Sequence, residues 1–153
     1  MAKVSAAEMV RRLQTINKEW LHQKVTETVI DDQESLKKIK IDEFAHGLRP
    51  DGEKIGQYSK TDEGQMYADF KRQINPLAGF GNVDLLLTRR TANTLFIREF
   101  GKGYMFGMRD THNLVGMYGV DILGLNQEMF NQRQKDIYRY VLINDISKVL
   151  NKK

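Results

Sequence analysis

The chain of 153 residues contains no cysteine, only two prolines and a single tryptophan. Without cysteine it has no disulfide, no thiolate zinc site and no cysteine nucleophile. No run approaches the roughly 18 to 20 apolar residues of a membrane-spanning helix, and the amino terminus lacks the apolar core of a secretory signal. We therefore expect a protein that is made and used in the cytoplasm, or in a particle assembled there, and that is stabilised by packing or by partners.

The composition is typical of one globular domain. Hydrophobic residues make up 41% of the chain and charged residues 29%, and this length allows a core of its own. The 24 Lys and Arg exceed the 20 Asp and Glu by four. The basic residues are dispersed in short pairs such as Arg11 and Arg12, which is typical of a solvated helix surface. This mild positive excess is compatible with binding near nucleic acid but does not require it.

The first third of the chain has helical periodicity. Ser5 precedes Glu8 by three residues, which predicts a capping box at a helix start. An apolar stripe then continues with helical spacing through Met9, Leu13, Ile16 and Trp20. We expect a second helix over about 32–45, ended by Gly47 and Pro50.

The middle of the chain combines a short helix with a predicted strand. Thr61 is placed to cap a helix that carries Met66, Tyr67, Phe70 and Ile74, and Asn75 before Pro76 is expected to stop it. The apolar run 83–87 has the length of a strand and is bounded by turn residues, which favours a strand over a helix.

A β-hairpin is predicted at about 95–109, around the connection Gly101, Lys102 and Gly103. If Phe100 lies opposite Tyr104, one face of the hairpin carries Phe96, Arg98, Phe100, Tyr104, Phe106 and Met108. The other face then carries Leu95, Ile97, Glu99, Met105, Gly107 and Arg109. Both faces include apolar side chains, and a small domain has one core, so we expect one face to meet another subunit.

The last third of the chain predicts two more helices. Asp110 is placed to cap a short helix over 114–118 that Gly119 closes, and Asn126 to cap the last helix. Along that last helix the apolar residues occupy two adjoining stripes, listed here as Phe130, Ile137, Val141, Tyr138, Leu142, Ile146 and Val149. This broad sector indicates that the last helix touches more than its own sheet.

These elements predict an α+β fold with N-terminal helices, a small antiparallel sheet and a C-terminal amphipathic helix packed on that sheet. We divide the chain into an N-terminal helical segment, 1–47, and an α+β region, 48–153, within one domain. The candidate subunit-interface residues are Phe96, Arg98, Phe100, Lys102, Tyr104, Phe106, Tyr138 and Leu142.

The sequence offers little evidence of catalysis. The three histidines, His22, His46 and His112, lie in distant segments without metal-ligand spacing, so we expect no metal site. Acidic neighbours such as Asp31 and Asp32 diverge by about 100° on a helix and do not converge on one ion. The two glycine pairs around Phe80 and Lys102 match neither a P-loop nor a dinucleotide fingerprint. We therefore predict no catalytic residue and no cofactor.

Four short segments follow one another in the second half of the chain: residues 84–88 (DLLLT), 95–97 (LFI), 117–119 (MYG) and 122–126 (ILGLN). In this order they resemble landmarks in the tail-completion and virion-morphogenesis proteins of tailed bacteriophages. The last, ahead of the final helix, matches best, whereas Arg89 stands where the family has a glycine. The likeness covers about 55–150.

This resemblance implies a non-enzymatic virion protein of the phage neck. Such a protomer forms a homo-oligomeric ring that joins portal or adaptor proteins to the tail and lets DNA pass, and ring closure needs two different surfaces to meet. The partners implied are copies of the chain itself and other neck, portal or tail proteins. An alternative is a small basic nucleic-acid-binding or toxin-like module that stacks bases on the aromatic residues of the hairpin.

Overall fold

The computed structural model describes residues 5–85, 93–101, 103–109 and 113–152. Over these ranges the elements, in chain order, are α1 (Ala6–Thr15), α2 (Lys18–Asp31), α3 (Gln33–Ala45), α4 (Asp62–Ile74), β1 (Phe96–Phe100), β2 (Gly103–Gly107), α5 (Leu114–Tyr118), α6 (Gln127–Arg133) and α7 (Arg139–Leu150). Short 3₁₀ turns occur at Pro76–Ala78 and Val120–Leu123, and a π-helical stretch, Gln134–Tyr138, joins α6 to α7. The predicted α+β class, with a small antiparallel sheet and a C-terminal helix, is confirmed.

Contacts between residues divide the chain into two compact units. The first unit contains the residues up to Asp32 and those from Asn131 onward, and the second is Gln33–Phe130. This division differs from the one predicted after residue 47, because α3 packs with the segment that follows it. Asn75 Nδ2 donates to the Ala45 carbonyl oxygen at 2.7 Å, and the Leu85 amide donates to that of Phe44 at 3.3 Å.

The first unit begins with two helices that Asn17 separates. Ser5 Oγ accepts a hydrogen bond from the Glu8 amide at 3.2 Å, which confirms the predicted helix start. The predicted single helix through Trp20 is wrong, because the Asn17 side chain caps a new helix by accepting from the Trp20 amide at 2.8 Å.

In the first unit, α7 packs on α1 and α2, whereas the sequence predicted the small sheet as its partner. The Arg133 guanidinium donates two hydrogen bonds to the Asp32 carboxylate, one from Nε to Oδ2 at 2.6 Å and one from Nη2 to Oδ1. The Tyr138 hydroxyl donates to the same carboxylate at 2.7 Å. At the other end of α7, Arg12 donates to the Leu150 carbonyl oxygen at 2.7 Å. These polar contacts join the C-terminal helical segment to α1 and to Asp32, the residue that follows α2.

The core of the second unit includes Leu36 and Phe44 of α3, the helix that contacts β1. The other large buried apolar residues of this unit are Ile55, Val83, Leu85, Leu95, Ile97, Phe106, Leu114, Ile122 and Leu123. Glu43 of α3 accepts from Lys40 Nζ at 2.7 Å and from the Asn126 amide at 3.2 Å. Asn126 in turn caps α6 by accepting from the Met129 amide at 3.0 Å, as predicted.

The hairpin has a different register from the predicted one. Phe100 pairs with Gly103 and Glu99 with Tyr104, so the connection has two residues and not three. Cross-strand partners share a face, and Ile97 therefore lies beside Phe106 in the core, whereas Phe96 lies on the other face, opposite Gly107. The predicted face that combined Phe96 with Phe106 is wrong.

Three other predictions can be compared with the described residues. The helix over 114–118 closed by Gly119 is confirmed, whereas its predicted cap, Asp110, lies outside the described residues. The predicted strand at 83–87 is wrong where it is described, because Val83–Leu85 form no strand; residues 86–87 lie outside that part. Within the described ranges, no helix is both long and apolar enough to cross a bilayer.

Candidate self-association surface

Helix α4 begins and ends where the sequence predicts. Thr61 Oγ1 accepts from the Gly64 amide at 3.3 Å, and Asp62 and Glu63 occupy the first turn, where the helix dipole favours negative charge. Asn75 ends the helix, and its side chain accepts from the Leu77 amide at 3.2 Å, so that a 3₁₀ turn follows directly.

The buried side of α4 carries a charged residue. Ala68 and Lys71 are the buried residues of this helix. Lys71 Nζ lies 2.6 Å from Asp84 Oδ1, and the two side chains are 3% and 1% exposed. Since Lys71 occupies the inward direction, the large apolar residues of α4 point elsewhere.

The large apolar residues of α4 and the following turn are exposed. Their exposed fractions range from 41% to 73%. We name these residues the α4 apolar surface, which comprises Met66, Tyr67, Phe70, Ile74, Leu77 and Phe80. An amphipathic helix of a monomeric protein normally turns this side toward the core, so the reversed orientation of α4 is typical of an interaction surface.

The α4 apolar surface is large for a monomer. Taking about 200 Å² for a fully exposed side chain of this size, these fractions leave roughly 600 Å² of apolar surface exposed. The largest apolar patch on a typical monomer is about 300–600 Å² and is often functional. A standard interface covers about 800 Å² per partner. The α4 apolar surface thus provides most of the area that one side of a stable interface needs.

Aromatic contacts hold this surface in place. The rings of Tyr58 and Tyr67 meet edge to face at 5.1 Å between centroids, and Tyr67 lies 6.2 Å from Phe70. The Arg72 guanidinium lies 5.9 Å from the ring centre of Phe80. Burial and the nearby Asp84 carboxylate raise the pKa of Tyr58 to about 12. Packed aromatic rings are pre-organised for binding because they lose little conformational freedom on contact.

The hairpin contributes less exposed surface than its sequence predicts. Phe106 is buried, Tyr104 is half-buried, and Phe96 and Arg98 are exposed on the opposite face. Phe96 covers Gly107, and the Arg98 guanidinium lies 6.0 Å from its ring centre. Lys102 and the Phe100 side chain lie outside the described residues. Because Phe96 and Phe106 lie on different faces, the aromatic residues do not form the single stacking platform that the nucleic-acid alternative requires.

Of the two interface candidates near the C-terminus, Tyr138 lies inside the first unit. Tyr138 is buried and donates to Asp32, and burial is the main cause that raises the pKa of its hydroxyl. Leu142, one turn further on, is half-buried. The exposed apolar residues of α7 are Tyr140, Val141 and Ile143.

The His, Asp and Glu side chains that the structure describes form no metal site. No set of three or more His, Asp or Glu side chains there is close enough to hold a metal ion. His46 lies beside Asp42 on the surface of α3, His22 is on α2, and His112 is outside the described residues. Each buried side-chain nitrogen or oxygen in these ranges has a hydrogen-bond partner.

Sequence reasoning predicted α4 as a helix but missed its surface. Periodicity identifies an apolar stripe and does not say whether the stripe faces a core or a partner. The orientation of α4 follows from the pair Lys71 and Asp84, because a buried lysine needs a partner. In the sequence these two residues are 13 positions apart, and no pattern links them.

Comparisons with known proteins return no match: no family model, no curated protein and no solved structure matches this chain. The likeness to phage tail-completion proteins therefore stays a prediction.

Proposed function

We propose that this protein is a non-catalytic structural subunit that assembles with its own copies into a ring at the head-tail junction of a tailed bacteriophage. The observation that carries the proposal is the α4 apolar surface, whose six large side chains are all exposed. Assembly would bury this surface and supply stability that a single copy lacks. The place in the virion is what the resemblance of segments such as 122–126 implies.

The first experiment measures self-association. The purified full-length chain is followed by sedimentation velocity and by light scattering after gel filtration, over a wide range of concentrations. We expect the mass to rise with concentration to a closed oligomer, visible as a ring by electron microscopy. A chain that stays monomeric at the highest concentration would overturn the proposal.

The second experiment tests the virion assignment separately. Tagged copies of the chain are produced during infection of a host by a phage that encodes it, and purified particles are examined by immunogold labelling. We expect label at the neck of the particle. Label absent from mature particles would refute the neck assignment and leave self-association to be judged by the first experiment.

A binding assay separates this proposal from the nucleic-acid alternative. A ring subunit is expected to bind free oligonucleotides weakly, whereas a DNA-binding module would bind them tightly and lose affinity steeply as salt rises. Tight, salt-sensitive binding by a stable monomer would contradict the structural role.

A further inference from the structure

The first unit joins two distant parts of the chain, and few side chains are buried where they meet. We name its second part, residues 131–152, the C-terminal arm. Helix α1 has no buried residue, and the buried residues of α2 are Thr28 and Val29. In the C-terminal arm, which the structure describes throughout, Tyr138 is the one buried residue. The arm is therefore attached to α1 and α2 with little apolar burial.

Polar contacts hold the C-terminal arm at both of its ends. Near its start, the Asp32 carboxylate accepts from the Arg133 guanidinium and from the Tyr138 hydroxyl. Near its end, Arg12 donates to the Leu150 carbonyl oxygen at 2.7 Å. The Asp32 and Arg133 side chains are 13% and 22% exposed, so this ion pair is largely shielded from solvent. Because the arm buries one side chain, it can detach at a lower cost than the unfolding of a core.

The helix that leads into the C-terminal arm begins at a fixed point of the second unit. The Asn126 amide donates to the Glu43 carboxylate at 3.2 Å, and Asn126 Nδ2 donates to the Pro50 carbonyl oxygen at 2.9 Å. The chain passes into the first unit within α6, after Phe130. The start of α6 is thus held in the second unit, and the arm can change its partner without any change in that unit.

We propose that, in the assembled protein, the C-terminal arm of each copy packs on α1 and α2 of a neighbouring copy, through the contacts that it makes within one chain in this structure. The inference rests on the self-association of the proposed function and names one contact that joins the copies. A second copy is the partner that fits, because its α1, α2 and Asp32 form the surface that binds this arm here. Since the exchanged contact is the same as the internal one, exchange is a low-cost route to an oligomer. Passing each arm to the next copy is also a head-to-tail contact, as rings require.

Two charge-reversed variants test the exchange. Asp32→Arg brings two arginines together, and Arg133→Asp brings two aspartates together, whether the arm stays in its own chain or moves to an identical copy. When the variants are mixed, exchange pairs the new arginine of one with the new aspartate of the other, and the native Asp32 with the native Arg133. Native mass spectrometry distinguishes the two variants by mass. We expect oligomers with equal numbers of both variants, formed at least about tenfold more tightly than those of either variant alone.

Two controls separate the exchange from general effects of charge. The double variant Asp32→Arg/Arg133→Asp restores an ion pair within one chain and should assemble as the native chain does. Lys60 and Asp121 are exposed in the second unit. A mixture of Lys60→Asp and Asp121→Arg has the same net charges as the test mixture, and it should show no preference for mixed oligomers.

A milder pair of variants covers a failure to fold. Circular dichroism measures the helix content of each variant alone and in the mixture. If a charge-reversed variant is unfolded in both, Asp32→Asn and Arg133→Gln replace the pair. Mixing these two again restores the native ion pair only when arms are exchanged, so the same preference for mixed oligomers is expected.

The outcomes distinguish the exchange from self-association in general. If the native chain assembles and neither pair of variants at positions 32 and 133 prefers mixed oligomers, the arm stays in its own chain, and the exchange is overturned while the proposed function stands. An equal preference in the control mixture would mean that net charge drives the association, which also overturns the exchange. A native chain that stays monomeric overturns both proposals.

Discussion

Two lysine ammonium groups lie inside the second unit, each against one carboxylate. Lys40 Nζ is 2.7 Å from Glu43 and 4.8 Å from the ring centre of Phe44. Lys71 Nζ is 2.6 Å from Asp84. Burial lowers the pKa of Lys40, and its bond to Glu43 opposes that shift. Such pairs stabilise a fold little in net terms, but removing one partner is costly because the other charge remains buried.

The pair beneath α4 provides the first stability prediction. Lys71→Met leaves the Asp84 carboxylate buried without its cation, and we expect the free energy of unfolding to fall by about 3–5 kcal/mol. The double variant Lys71→Met/Asp84→Leu removes both charges and should regain most of that loss. Urea unfolding followed by circular dichroism measures both values. A double variant no more stable than the single one would contradict this account.

Tyr58 gives the second prediction, a pH dependence. Burial raises the pKa of Tyr58 from its ordinary value of 10.0 to about 12 in the folded chain. The fold therefore favours the neutral phenol, while the unfolded chain ionises at the ordinary value. The resulting stability is complete below pH 10 and is lost as the pH rises from 10 to 12.

A phenylalanine variant isolates this effect from the other titrating groups. Tyr58→Phe keeps the ring but cannot ionise, so its free energy of unfolding should decline less than that of the native chain across this pH interval. Urea unfolding at matched pH values measures the difference. Equal decline in both proteins would show that Tyr58 ionises alike in the folded and unfolded chains.

At the scale of single elements, the ends of helices were predicted better than their orientation. Ser5, Thr61 and Asn126 each cap the predicted helix, because a cap depends on the residue itself and its near neighbours. The orientation of α4 depends on the distant Asp84, and that contact has no local signal. This is why the sequence led us to expect interface residues on the hairpin and did not lead us to expect exposed apolar residues on α4.

The hairpin shows how one residue changes a prediction about faces. Gly101 has a positive φ of 62°, and Phe100 pairs with Gly103, so the connection is one residue shorter than predicted. Because side chains alternate between faces along a strand, a shift of one residue moves each residue of β2 to the other face. Phe106 is thereby placed in the core, although its strand was predicted correctly.

The end of α3 provides the third prediction. Gly47 has a φ of +65°, and a Cβ added there would lie 2.4 Å from the carbonyl oxygen of Val83. Gly47→Ala therefore combines left-handed strain of about 1–2 kcal/mol with a clash against backbone atoms. We expect the free energy of unfolding to fall by more than about 2 kcal/mol. Thermal and urea unfolding measure this loss.

Gly52 supplies the matched control for that substitution. Its φ is +85°, but a Cβ added there meets no atom within 4 Å. Gly52→Ala should thus show the backbone strain alone. Its free energy of unfolding should fall by less than that of Gly47→Ala. Equal losses would mean that the segment around Val83 moves away at little cost.

At the scale of the whole molecule, the two ends of the chain belong to one unit. Asp32 binds Arg133 and Tyr138, which lie about a hundred positions further along the chain. Sequence periodicity predicts helices but not which helices pack together, and the expected boundary after residue 47 followed from local turn residues alone. The first unit was therefore not predicted, although α1 and the C-terminal helical segment carry apolar residues at helical spacing.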